Sequence, residues 1–112
     1  MIKIYHNPRC SKSRAALELL QARGLNPEII EYLKVPLTAN QLKSLIAKSN
    51  LSVREAIRTN ETVYKDLDLA AATDDQLIAA MAEHPILLNR PFIETEKGAR
   101  LARPLEAIEV IL

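Results

Sequence analysis

The stretch Ile2-Lys3-Ile4-Tyr5-His6-Asn7-Pro8-Arg9-Cys10-Ser11-Lys12-Ser13-Arg14 decides how the rest of the chain is read. Ile2 to Tyr5 alternates and is rich in β-branched and aromatic residues, the pattern of a short strand. His6 to Arg9 breaks that pattern with Asn-Pro turn chemistry. From Ser11 onward the spacing is helical, with Ala16, Leu19, Leu20 and Arg23 on one face, and Gly24 suits the left-handed residue that ends a helix. Pro27 to Tyr32 then reads as a second strand. A β-α-β crossover of this kind implies parallel strands.

Working outward, the middle of the chain is helical and well punctuated. Thr38-x-x-Gln41, Ser52-x-x-Glu55 and Thr73-x-x-Gln76 have the capping-box form, in which side chain and backbone satisfy each other's orphan donors at a helix start. Behind them lie Leu42/Leu45/Ile46, Val53/Ala56/Ile57 and Leu77/Ile78/Met81, read as core stripes. His84-Pro85 stops the third of these helices. Ile86 to Leu88 and Phe92 to Thr95 are expected as strands flanking Asn89-Arg90-Pro91. Glu96 to Ala99 is expected as a hairpin turn, and Arg100 to Ala102 as a short strand. Pro104 suits the first position of a final helix over 105–111. The expected architecture is α/β, a small mixed sheet with helices on its faces, in a single domain over 1–112.

Composition narrows the function. A chain of 112 residues fits one domain and can bury one core without metal or disulfide staples. The net charge of +1 carries no polyanion footprint, so no nucleic-acid partner is expected. Two glycines argue against a Gly-rich nucleotide loop. A single cysteine can form neither an internal disulfide nor a Cys-rich metal site, and no metal is expected. No signal-peptide pattern and no membrane-length apolar run is present, so a cytoplasmic location with a reduced thiol is expected, with no membrane partner. Eight of the fifteen cations are arginine, whose planar donor fork suits oxyanions.

Cys10 stands where the turn gives way to the first helix. Unpaired backbone donors and the helix dipole favour negative charge there, so the thiol is expected to ionise below its usual ~8.5. Ser13 can offer its hydroxyl to the same sulfur, and Arg9, Arg14 and His6 flank it. Arg14 supports the thiolate or pairs with Glu18. The neighbours of Cys10 are too polar for a core position, which favours a reactive thiol over a packed one. A Cys-x5-Arg phosphatase loop is excluded because Ala16 stands where the arginine would be. A Cys-x-x-Cys redox pair is excluded by Ser13, so an oxidised Cys10 must be resolved from outside the chain.

The segment His6 to Arg14 resembles the active-site segment of the glutaredoxin-coupled arsenate reductases (ArsC-like). The resemblance continues through Ser52-Val53-Arg54-Glu55-Ala56-Ile57-Arg58, His84-Pro85-Ile86-Leu87-Leu88-Asn89-Arg90-Pro91 and Ala102-Arg103-Pro104, in order along essentially the whole chain. The length is closest to a short, arsenate-reductase-like branch. The resemblance implies a thioredoxin-like fold with a helical insertion between the second and third strands. It implies that Cys10 is the nucleophile that attacks arsenate, and that Arg58, Arg90 and Arg103 bind the oxyanion. His6 and Ser13 would support the thiolate, and Pro91 would match the cis-proline of such folds. No bound cofactor is implied. Glutathione would be the co-substrate, and glutaredoxin the partner that reduces the resulting mixed disulfide. Two alternatives of related fold are an RNA polymerase-binding redox regulator, disfavoured because Ser13 removes the dithiol switch, and a monothiol glutaredoxin-type transferase, for which the arginines would be surplus.

Overall fold

A Schellman motif ends the first helix and sets the return of the chain. In the computed structural model, which describes all residues 1–112, Gly24 adopts φ +76°, where a side chain would be strained. Its N–H donates to Gln21 O, and Leu25 N–H donates back to Leu20 O. Leu25 thereby packs against the buried cluster that Leu20 enters.

Two compact units make up the chain, one from Met1–Val35 with Arg90–Leu112 and the other from Pro36–Asn89. The first holds β1 (Lys3–Tyr5), α1 (Ser11–Ala22), β2 (Glu28–Ile30), β3 (Phe92–Thr95) and β4 (Gly98–Leu101). The sheet order is β2-β1-β3-β4. β2 is parallel to β1, whereas β3 is antiparallel to β1 and β4 antiparallel to β3. This is the mixed sheet expected from the sequence, with β1 and β2 shorter than expected and β3 at the expected residues. Its core gathers Ile4, Ala16, Leu20, Ile93, Ala102, Ile108 and Ile111. Burying each of the Leu and Ile side chains contributes roughly 1.5–3 kcal/mol.

The second unit is the helical insertion between β2 and β3, with α2 (Ala39–Lys48), α3 (Val53–Ala56), α4 (Thr62–Asp66) and α5 (Asp74–Glu83). α2 and α3 pack on α5. The expected stripes are buried, apart from half-buried Val53. All three capping boxes form, with both reciprocal bonds present at Thr38/Gln41, Ser52/Glu55 and Thr73/Gln76. A hub not foreseen is Arg54, which donates to Tyr64 Oη, Leu69 O and Ala72 O and so ties α3 to the α4–α5 connection.

Two expected elements differ. Residues 86–88 form no strand: Pro85–Leu87 is a 3₁₀ turn, and Leu88 makes only an isolated antiparallel bridge to Ile57. Pro85 sits at the start of that turn, with its fixed φ suited to it. The final helix is present at Leu105–Ile111 but is 3₁₀, with Pro104 preceding it as the cap residue. The last strand begins two residues earlier than expected, at Gly98.

Candidate active site

Cys10 is the N-cap of α1, in extended conformation (φ −95°, ψ 122°). Its N–H donates to Asn7 O at 3.0 Å and its carbonyl accepts from Arg14 N–H at 3.0 Å. The turn before it is held by Asn7, whose Oδ1 accepts from Arg9 N–H at 3.0 Å, an Asx-type closure. Asn7 is buried, a structural role that the sequence reading reduced to a strand breaker.

Cys10 is buried, 8% exposed, and burial pushes its thiol up. The backbone N–H groups of Ser13 and Lys12 pull it down, followed by the charges of Arg90 and Arg103. The downward influences win, and the thiol lies below its ordinary value. Arg103 meets the sulfur directly: Nη2 donates to Cys10 Sγ at 3.8 Å. Its Nε donates to Arg90 O at 2.6 Å, so the backbone of one arginine orients the side chain of the other. Residues far apart in sequence are thus brought to one sulfur.

Ser13 differs from expectation. Its hydroxyl serves a different partner from the sulfur: Oγ lies 2.6 Å from His6 Nδ1 and accepts from Asn7 N–H at 3.0 Å. The Ser13 hydroxyl and His6 Nδ1 thus share one hydrogen bond, whose donor is set by the His6 tautomer. His6 is 6% exposed. Burial lowers its pKa first; Glu31 raises it and Arg14 lowers it, for a net downward shift. The downward shift favours a neutral His6, which braces the loop through its bond to Ser13. Ser13 acts on Cys10 through its backbone.

Arg14 donates from Nη1 to Pro8 O at 2.9 Å, which clamps the turn; the pairing with Glu18 is not made. Pro91 follows a cis peptide bond from Arg90, and Pro104 follows a second from Arg103. Arg58 belongs to the insertion unit. Its N–H donates to Leu87 O at 2.7 Å, its Nη2 lies 3.2 Å from Glu61 Oε2, and its Nε is buried without a hydrogen-bond partner. Glu61 is a neighbour that the sequence reading missed; an acidic residue three positions after a candidate anion-binding arginine was the available signal.

No cluster of three or more His, Cys, Asp or Glu side chains is arranged to hold a metal, and no helix is long and apolar enough to cross a membrane. The chemistry available is that of a depressed thiol beside fixed guanidinium groups.

Comparison with known proteins places this arrangement in context. The model of the ArsC family matches residues 5–111. An arsenate reductase of Escherichia coli K12 is 48% identical over 99% of this chain and 80% of its own length. One from Rhizobium meliloti is 43% identical over 99% and 81%. The solved structure of an arsenate reductase from Vibrio cholerae superposes with a TM-score of 0.95 at 44% identity, covering 99% of this chain and 97% of that one. The sheet and its helical insertion are the thioredoxin-like fold of that family. These similarities do not favour the regulator or the glutaredoxin-type alternative.

Proposed function

The chain belongs to the ArsC family, and from that premise we propose that it is an enzyme reducing arsenate to arsenite with Cys10 as the nucleophile. The observation that carries the reading is the Arg103 guanidinium on a sulfur already placed at a helix start. A thiolate approaching an oxyanion meets like charge. Fixed cations screen that repulsion and stabilise charge that builds in the transition state.

In the first step the Cys10 thiolate bonds to arsenic, and an As–O bond breaks, its oxygen leaving as water after taking up protons. In the second, the thiolate of glutathione attacks the Cys10 sulfur. An S–S bond forms, the S–As bond breaks, and its electron pair stays on arsenic. Arsenic falls from the +5 to the +3 state and leaves as arsenite. Glutaredoxin then reduces the Cys10–glutathione disulfide by thiol exchange. One cysteine suffices for this cycle, which fits a chain that has only one, and a cytoplasmic thiol pool would sustain it.

Arg90 and Arg103 are the cations for the bound oxyanion in this reading. Arg58 joins them on the likeness of its segment to the family. His6, Ser13 and Arg14 keep the loop in shape, and Pro91 lies next to Arg90 at the start of β3. The test is arsenate-dependent NADPH oxidation in an assay coupled through glutathione and glutaredoxin. Turnover is expected for the natural chain and its loss for Cys10→Ser. Wild-type rates in Cys10→Ser would reject the mechanism. Replacing glutaredoxin with thioredoxin and its reductase, and finding equal rates, would reject the thiol partner alone.

A further inference from the structure

Glu61 occupies the N-cap position of α4 with the extended backbone of a cap (φ −78°, ψ 145°), yet its side chain makes no capping bond. A carboxylate at that position would ordinarily accept from the exposed N–H groups of its own helix. This one turns back across the intervening turn to Arg58, with Oε2 3.2 Å from Nη2. The pair is not a solvated surface contact: the two side chains are 15% and 21% exposed. Arg58 is held at its backbone as well, by the bond to Leu87 O and by the Ile57–Leu88 bridge beside it. What remains unused is the Nε–H, buried and without an acceptor. A buried donor of this kind carries a desolvation penalty that an arriving acceptor relieves.

We propose that Glu61 is the positioning residue of Arg58, holding one edge of its guanidinium so that the Nε–H stays ordered and unspent for the anion that Arg58 binds. The inference rests on the reading of Arg58 as an oxyanion-binding residue. An unheld arginine must lose much of its rotamer freedom on binding, and fixing it beforehand moves that loss to the folding step. A carboxylate near an incoming anion also repels it. The arrangement is useful only if ordering outweighs that repulsion, and this gives the proposal a definite sign.

Three substitutions separate the possibilities, read as KM and kcat for arsenate in the full-length protein, with thermal unfolding measured alongside. Glu61→Asp keeps the charge and is a better cap for α4 but is one methylene too short to reach Arg58. Its arsenate KM is expected to rise roughly two- to tenfold, the range for freeing one long side chain, with kcat changed less and unfolding temperature not lowered. Glu61→Gln keeps the length and an acceptor oxygen, and it is expected to hold KM within about twofold of wild type. In an Arg58→Ala background, Glu61→Asp is expected to add nothing. The proposal is overturned if Glu61→Asp leaves KM unchanged, if Glu61→Gln drops KM below wild type, or if the Asp effect persists without Arg58. If Arg58→Ala leaves arsenate kinetics untouched, the role of Arg58 fails and the proposal with it. If Arg58→Ala weakens arsenate but Glu61→Asp does not, only the role of Glu61 fails.

Discussion

α2, α3 and α5 open on reciprocal capping boxes, whereas α1 opens on Cys10 and α4 on Glu61, and at neither of these does a side-chain oxygen bond to its own helix. At Thr38, Ser52 and Thr73 the N–H of the third helical residue goes to the cap hydroxyl, and the N–H of the cap residue goes to a Gln or Glu side chain. At Cys10 the same class of donor, from Lys12 and Ser13, is left for a sulfur anion. At Glu61 the carboxylate that could serve a helix serves Arg58 instead. The local rule of helix initiation is kept where only stability is at stake, and departed from where a charged group is to be held for other use.

The largest effect that would break this contrast is at Cys10 itself. Serine is a preferred cap residue but a poor nucleophile at neutral pH. Cys10→Ser should therefore lose at least about a thousandfold in turnover, while its unfolding temperature is not lowered. Calorimetry beside the coupled assay checks both, and a large loss of stability would show that the sulfur is packing rather than poised. Because the folded thiol ionises below its ordinary value, its contribution to stability is full above that ordinary value. It is lost as pH falls through the folded value. The stability of wild type relative to Cys10→Ser should fall on acidification across that window, measured by denaturant unfolding.

Next in size is Arg103→Ala, which removes the donor at 3.8 Å from the sulfur. The arsenate kcat/KM should fall roughly ten- to a hundredfold, and the thiolate absorbance titration should shift to higher pH. Smaller is Ser13→Ala, which leaves Asn7 N–H and His6 Nδ1 without their shared partner. About 1–3 kcal/mol of stability should be lost, read from denaturant midpoints. The smallest effect sharpens the contrast from the other side. Thr73→Ala should cost about 1 kcal/mol with arsenate kinetics unchanged, since that cap binds nothing but its own helix.

The first unit was largely legible because its signals are local. Alternation at Ile2–Tyr5, the Asn-Pro break and Gly24 each act within a few residues, and the capping boxes are local too. Ile86-Leu87-Leu88 was misread for the opposite reason. A three-residue apolar run fits a strand, a helix turn or a 3₁₀ turn equally, and here Pro85 opens a 3₁₀ turn that leaves Ile86 exposed and buries Leu87. The thiolate at Cys10 could be reasoned from position alone. That Ser13 faces His6 could not, because the competing donor is the main chain of Asn7, whose direction depends on the folded loop. The approach of Arg103 to the sulfur spans 93 positions, and only likeness to a family hinted at it.

The β3–β4 hairpin has a further consequence. Its ladder pairs Phe92 with Leu101 and runs on through Ala102 N–H to Pro91 O at 2.9 Å, so Arg90 and Arg103 emerge from the same end of one ribbon. The tight turn at Glu96-Lys97 therefore works as a gauge block for two cations. A single residue inserted there would spare every apolar side chain in composition, yet rotate one strand's alternation by half a period. The length of that turn, and not only its composition, thus constrains where Arg103 stands relative to Cys10.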